Sequence, residues 1–198
     1  MSAKAKSIQK VCVYCGARDG ARPVFRERAY ALGAAFARRG LGLVYGGAKV
    51  GLMGAVADGA LAGGAEVIGV LPHGLARVEF AHPGLTKLHH VETMQERKAL
   101  MADLADAFVA LPGGFGTLDE LFECLTWAQI GLHEKPVGLF EVEGYWSALL
   151  TQIEVMVREG FVPSQLGQAL TVQSEPEALV DALLSHKVPE PVVKWIKK

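Results

Sequence analysis

Short, nearly all-apolar runs alternate with amphipathic helical stretches along this chain, and glycines follow several of those runs. Residues 11–15 read as a first strand, and residues 23–39 as a helix with Phe25, Ala29, Leu32 and Phe36 on one stripe. Residues 42–45 form a second strand, broken by Gly46-Gly47, and residues 52–62 a helix of small side chains. Residues 66–71 form a third strand that Pro72 stops. After a less regular stretch, 74–90, Thr93 opens a helix through Leu104, and Glu96 three residues on completes a capping-box pattern. Strands at 107–111 and 136–140 alternate with helices at 116–130 and 145–158. A weak strand at 169–172 leads to a helix at 175–184, with Ser174 as a cap. Strands this apolar need cover on both faces, so the rhythm predicts an α/β fold: a Rossmann-like, doubly wound, mostly parallel sheet with helices on both sides.

The chain has 198 residues, which suits one domain over 1–198 with its core at about 11–184. The tail 187–198, with its prolines, lysines and Trp195, reads as a segment that packs on the surface or frays. A formal net charge of −1 gives no basic surplus for nucleic acid or anionic lipid, so any phosphate has to be held by local devices. The first ten residues are polar and basic, unlike a signal peptide, and no apolar run is long enough to span a membrane. Cys12, Cys15 and Cys124 lack the second pair that a zinc site requires; we expect reduced thiols, no metal and a cytoplasmic location.

Ligands of open parallel sheets bind beyond the carboxyl ends of the strands, so the turns after each strand carry the functional information. The turn Cys15-Gly16-Ala17-Arg18 is compatible with a ligand and equally with an ordinary connection. Tyr45-Gly46-Gly47 through Gly51-Leu52-Met53-Gly54 can bare backbone amides at a helix start, although its spacing matches neither GxGxxG nor a P-loop. The alternative reading is that these glycines only let helix and sheet pack closely.

The strongest segment is Leu111-Pro112-Gly113-Gly114-Phe115-Gly116-Thr117-Leu118-Asp119-Glu120. It follows a strand and opens a helix. Gly113, Gly114 and Gly116 expose amides at the positive end of that helix, and Thr117 adds a hydroxyl, which makes an anion nest suited to a 5′-phosphate. Glu120 lies one turn on, on the Thr117 face, with the wrong charge for holding phosphate. Its place is at the sugar or at a bond being broken. Upstream, Arg97 and Lys98 occupy the first turns of a helix. Arg97 shares a stripe with Met94 and Met101, which leaves it open between a functional role and a surface ion pair.

These segments, in this order, resemble the Lonely Guy family, the cytokinin riboside 5′-monophosphate phosphoribohydrolases. The resemblance runs from about residue 11 to 184 and is carried by Pro112-Gly113-Gly114-Phe115-Gly116-Thr117 with Glu120, and by Met94 with Arg97-Lys98. Cys15-Gly16, the Gly46-Gly47 segment and Leu125-Thr126-Trp127-Ala128-Gln129 look similar to the family's too. It implies a homodimer that binds a small nucleotide, requires no cofactor, and cleaves adenine nucleoside monophosphates between N9 and C1′. It also implies Arg97 and Glu120 as catalytic residues. The implied binding residues are Glu79, Lys98, Gly114, Phe115, Gly116, Thr117, Leu118, Asp119 and Thr126. The glycine-turn reading adds Gly113, Gly46 and Gly47.

The chain departs from the family with Gln95 where histidine is frequent, and with Ala17-Arg18 where serines are frequent. Many members once carried the label of lysine decarboxylase, but no lysine here sits in a recognisable pyridoxal phosphate context. Two other readings compete. One is a nucleotide or molybdopterin carrier on the same fold, which would not need both Arg97 and Glu120. The other is a dinucleotide-dependent oxidoreductase, which the glycine spacing and the lack of an acidic residue after the second strand disfavour.

Overall fold

The computed structural model describes residues 7–74, 80–167 and 170–186. Its strands are β1 (Lys10–Tyr14), β2 (Gly42–Tyr45), β3 (Val67–Pro72), β4 (Lys87–Val91), β5 (Ala107–Ala110), β6 (Val137–Phe140) and β7 (Leu170–Gln173). They form one sheet in the order β4-β3-β2-β1-β5-β6-β7, and every neighbouring pair is parallel. The helices are α1 (Pro23–Arg38), α2 (Gly51–Ala62), α3 (Met94–Leu104), α4 (Phe115–Gln129), α5 (Ser147–Arg158), the short α6 (Ser164–Gly167) and α7 (Pro176–Ser185).

Alternation along the central strands explains the two-sided core. In β1, Val11 and Val13 pack with the side chains of α1, α2 and α7, while Cys12 and Tyr14 pack with those of α3 and α4. β5 repeats this split, with Val109 on one side and Phe108 on the other. The sheet is therefore covered on both faces, as its apolar strands demand. Helices α1 and α2 approach so closely that a side chain at Gly33 would strike the Val56 carbonyl, and one at Gly59 the Tyr30 carbonyl.

Several boundaries differ from the sequence expectation. The stretch read as irregular contains β4, an edge strand with partly exposed side chains (KLHHV) that lacks the apolar run of a buried strand. β3 does end at Pro72, which is included as its last residue, opposite Val91, at a position where a missing N–H is tolerated. Ser174 is not the cap of α7. Glu175 holds that position without a side-chain hydrogen bond, and the Ser174 carbonyl accepts from Arg28. The capping box of α3 forms: Thr93 Oγ1 accepts from Glu96 N at 3.1 Å. The Glu96 carboxylate accepts in turn from Glu92 N at 2.9 Å. The tail 187–198 and Glu79 lie outside the described residues.

The order of the sheet reverses between β1 and β5: β2, β3 and β4 extend to one side, β6 and β7 to the other. Connections leaving β1 and β5 diverge to opposite faces there, and a crevice opens beyond their carboxyl ends.

Candidate active site

A cavity of about 560 Å³ fills that crevice. Its floor is the pair of turns after β1 and β5, locked together by Gly16 N donating to the Pro112 carbonyl at 3.1 Å. Gly113 is glycine because a β-carbon there would run into the Thr117 side chain. Gly114 and Gly116 differ: nothing lies within 4 Å of where their β-carbons would stand. Gly114 is the N-cap residue of α4 and offers no side chain to the first turn. The amides of that turn have no partner within the helix, so they face the cavity as an anion-binding nest at a positive helix end. Thr117 is buried beside them.

Arg97 forms another wall. It is only 6% exposed, unusual for arginine, and it pairs with carbonyls rather than carboxylates. Its Nε donates to the Val70 carbonyl and its Nη2 to the Gly46 carbonyl, each at 3.1 Å. One carbonyl lies within β3 and the other just past the end of β2, so the sheet itself aims the guanidinium. Among the described residues, Nη1 has only the Met94 sulfur, at 4.0 Å, and is available to a ligand. Gly46 is glycine for the same reason: a β-carbon there would occupy the place of Arg97 Nη2.

Glu120 faces the same cavity from α4, one turn inside the nest. It makes no hydrogen bond or ion pair with any described residue. Burial pushes its carboxyl from the ordinary 4.5 up to about 7, against the pull of Arg97; Asp119 adds to the rise and Lys98 opposes it. A carboxyl poised near neutrality and free of partners is equipped to exchange a proton or to face a developing positive charge.

The other predicted residues divide between cavity and surroundings. Asp119 and Gly46 line the cavity with Gly113, Gly114, Gly116 and Thr117. Lys98 does not: its Nζ lies 3.0 Å from Asp119 and 3.1 Å from Glu123, tying α3 to α4. Gly47 stands behind the lining, with a φ of +83° that favours glycine. Phe115 is 93% exposed, and Thr126 is exposed on the outward face of α4, its hydroxyl donating to the Phe122 carbonyl at 2.7 Å. Leu118 lies beside Phe122 and Trp127 on that face.

Sequence reasoning missed Tyr145. It reaches over from the turn after β6, lines the cavity and donates its hydroxyl to the Gly113 carbonyl, with Phe25 edge-on against its ring. No motif marks it, because the contact depends on the sheet bringing β6 beside β5.

Fold and cleft together define a Rossmann-like α/β protein with an anion nest beside a buried arginine and an unpaired glutamate. Residues 53–183 match a family model described as "Possible lysine decarboxylase". The chain is 46% identical over 187 residues to the cytokinin riboside 5′-monophosphate phosphoribohydrolase of Rhodococcoides fascians, covering 93% of this chain and 94% of that one. It is 43% identical to the cytokinin riboside 5′-monophosphate phosphoribohydrolase LOG7 of Arabidopsis thaliana, covering 91% and 83%. The chain belongs to this Lonely Guy family.

Among solved structures, it is similar to a molybdenum cofactor binding protein from Rippkaea orientalis. The TM-score is 0.67 at 24% identity, with 90% of this chain and 96% of that one covered. The molybdenum cofactor carrier protein of Chlamydomonas reinhardtii gives 0.68 at 20%, covering 90% and 99%. These two likenesses show the fold alone. The decarboxylase in the family model's description has no support in the cavity, where no lysine stands among the described lining residues.

Proposed function

We propose that this chain is a hydrolase that cleaves the N-glycosidic bond of adenine-type nucleoside 5′-monophosphates (cytokinin riboside 5′-monophosphates, AMP or both), giving free base and ribose 5-phosphate. The observation that carries this reading is Glu120, an unpaired carboxyl with its acidity shifted to about 7, one helical turn from an anion nest. Phosphate bound by the nest and Thr117 anchors the sugar. The ribose then lies alongside Glu120, and the purine extends toward Arg97.

As the C1′–N9 bond breaks, positive charge spreads over C1′ and the ring oxygen, and ionised Glu120 stabilises it. Water attacks C1′ and gives a proton to Glu120. The base leaves with the bonding pair on its ring nitrogen and takes up the proton that Glu120 received from water, which returns the carboxylate to its ionised form. Arg97, with Nη1 free, contacts the departing ring and keeps part of the Glu120 population ionised. Phosphate binding remote from the reacting bond holds the sugar in register.

Incubation with AMP and with N6-isopentenyl-AMP, followed by chromatography, tests the reading. Release of base and ribose 5-phosphate is expected, falling roughly 10²–10⁴-fold in Glu120→Gln. Tight binding without release would leave the carrier reading in front. Against that reading stands Glu120 itself, since a carrier of an anionic cofactor has no use for an unpaired carboxyl in its cavity.

The proposal extends to the assembly. Thr126, which the family resemblance assigns to substrate, stands outside the cavity of its own chain, on a face of α4 with Leu118, Phe122 and Trp127. A second copy packed on α4 would cover that apolar face, which supports a homodimer, and light scattering is the check. One continuous sheet from β4 to β7 supports a single domain. Three free, buried cysteines accord with a cytoplasmic location. No helix among the described residues is long and apolar enough to cross a membrane.

A further inference from the structure

The cavity has one charged group that neither a protein partner nor the proposed mechanism engages. Among the described residues, five charged side chains line it: Arg18, Asp19, Arg97, Asp119 and Glu120. Asp19 is held by Arg26 at 2.9 Å, Asp119 by Lys98 at 3.0 Å, and Arg97 by two carbonyls. Glu120 is the unpaired anion. Arg18 is its counterpart, a cation with no hydrogen bond or ion pair to any described residue.

Its backbone, by contrast, is firmly placed. The turn that carries it is pinned on one side by Gly16 N on the Pro112 carbonyl (3.1 Å), and on the other by Leu52 N donating to the Gly16 carbonyl (3.0 Å). Gly51 sits so tightly against Ala17 and Arg18 that a side chain there would strike their peptide. A fixed base with an uncommitted guanidinium, next to the 113–117 nest, is an arrangement that costs little to order when an anion arrives.

Charge balance points the same way. A nucleoside monophosphate brings a near-dianionic phosphate into a cavity that already holds Glu120. The nest supplies only partial charges, and the Arg97 guanidinium is committed to the carbonyls of Gly46 and Val70. We infer that Arg18 is a ligand of the substrate's 5′-phosphate and the residue that makes this chain discriminate nucleotides from nucleosides. The inference rests on the phosphoribohydrolase reading for the identity of the substrate, but not for the anion itself.

The test compares wild type, Arg18→Gln and Arg18→Lys. Arg18 is exposed, and equal melting temperatures confirm that the variants fold. With AMP, R18Q is expected to raise KM roughly tenfold or more while kcat stays within about threefold, because a charge-assisted phosphate contact is lost. R18K falls between. Hydrolysis of adenosine is unchanged, and inhibition by inorganic phosphate weakens by the same factor as KM rises. Unchanged KM and unchanged phosphate inhibition in R18Q overturn the inference. If the wild type cleaves neither compound, the proposed function fails instead. Calorimetric binding of inorganic phosphate to wild type and R18Q then still decides the role of Arg18.

Discussion

Two glycine-rich turns lead from strand to helix in this molecule, and they look alike as text. In the turn from β2 to α2, the glycines make way for the protein itself. A side chain at Gly46 would displace Arg97, one at Gly51 would strike the Ala17-Arg18 peptide, and one at Gly54 the Lys49 carbonyl; Gly47 and Gly51 also have positive φ. In the turn from β5 to α4, Gly113 is of that kind, but Gly114 and Gly116 have nothing beside them and negative-φ backbone. Glycine in the first turn solves a packing problem. In the second it leaves room for something other than protein, and only there do the bared amides stand against open space.

The largest effect follows from Gly46. In Gly46→Ala the new methyl and the Arg97 guanidinium cannot both stay, so Arg97 loses the carbonyl that aims it. We expect kcat/KM for AMP to fall at least about 100-fold and stability to drop by about 1–3 kcal/mol, the usual cost of overpacking. Kinetics and thermal melting read the two together. A stable, active G46A would break the distinction between the turns at its first member.

Gly114→Ala and Gly116→Ala probe the other side. G114A should lose at most about 1 kcal/mol, the N-cap preference for glycine over alanine, and G116A, in the first helical turn, should be at least as stable as wild type. Each places a methyl where a phosphate would approach, so KM for AMP should rise roughly tenfold with no loss of stability beyond that cap term. A larger drop in stability would mean that these glycines serve packing too.

The sequence already contained the sheet's inner strands, α1 to α5 and the nest, because buried parallel strands are apolar runs and each is followed by a helix of matching period. β4 escaped notice because an edge strand need not be apolar: Lys87, His89 and His90 are partly exposed. The residues around Arg97 do not reveal its burial, because its partners are the carbonyls of Val70 in β3 and of Gly46 just past β2, distant in sequence. Tyr145 had no signal at all. Lys98, a binding residue by the family resemblance, stands outside the cavity lining and pairs with Asp119 and Glu123, because helical geometry turns it to a different face from Arg97.

Lys98 gives the finest test. Its bridge to Asp119 and Glu123 flanks Glu120 on α4, where a cation favours the ionised carboxylate. If Glu120 acts ionised, kcat/KM should rise with pH through a limb near 7, the value to which burial brings its carboxyl. Removing the cation in Lys98→Met disfavours the ionised form and leaves the two neighbouring carboxylates uncompensated. Both effects raise the Glu120 pKa, so the limb moves to higher pH, by roughly half a unit for a partly screened charge. The phosphate of the substrate titrates near 6 and contributes to the profile, but it is the same for both enzymes, so the displacement between the two curves belongs to the protein. A substrate ligand would behave differently, with KM rising at every pH and the limb left where it was. The direction of that displacement therefore separates a residue that holds the nucleotide from one that sets the charge of the group acting on it.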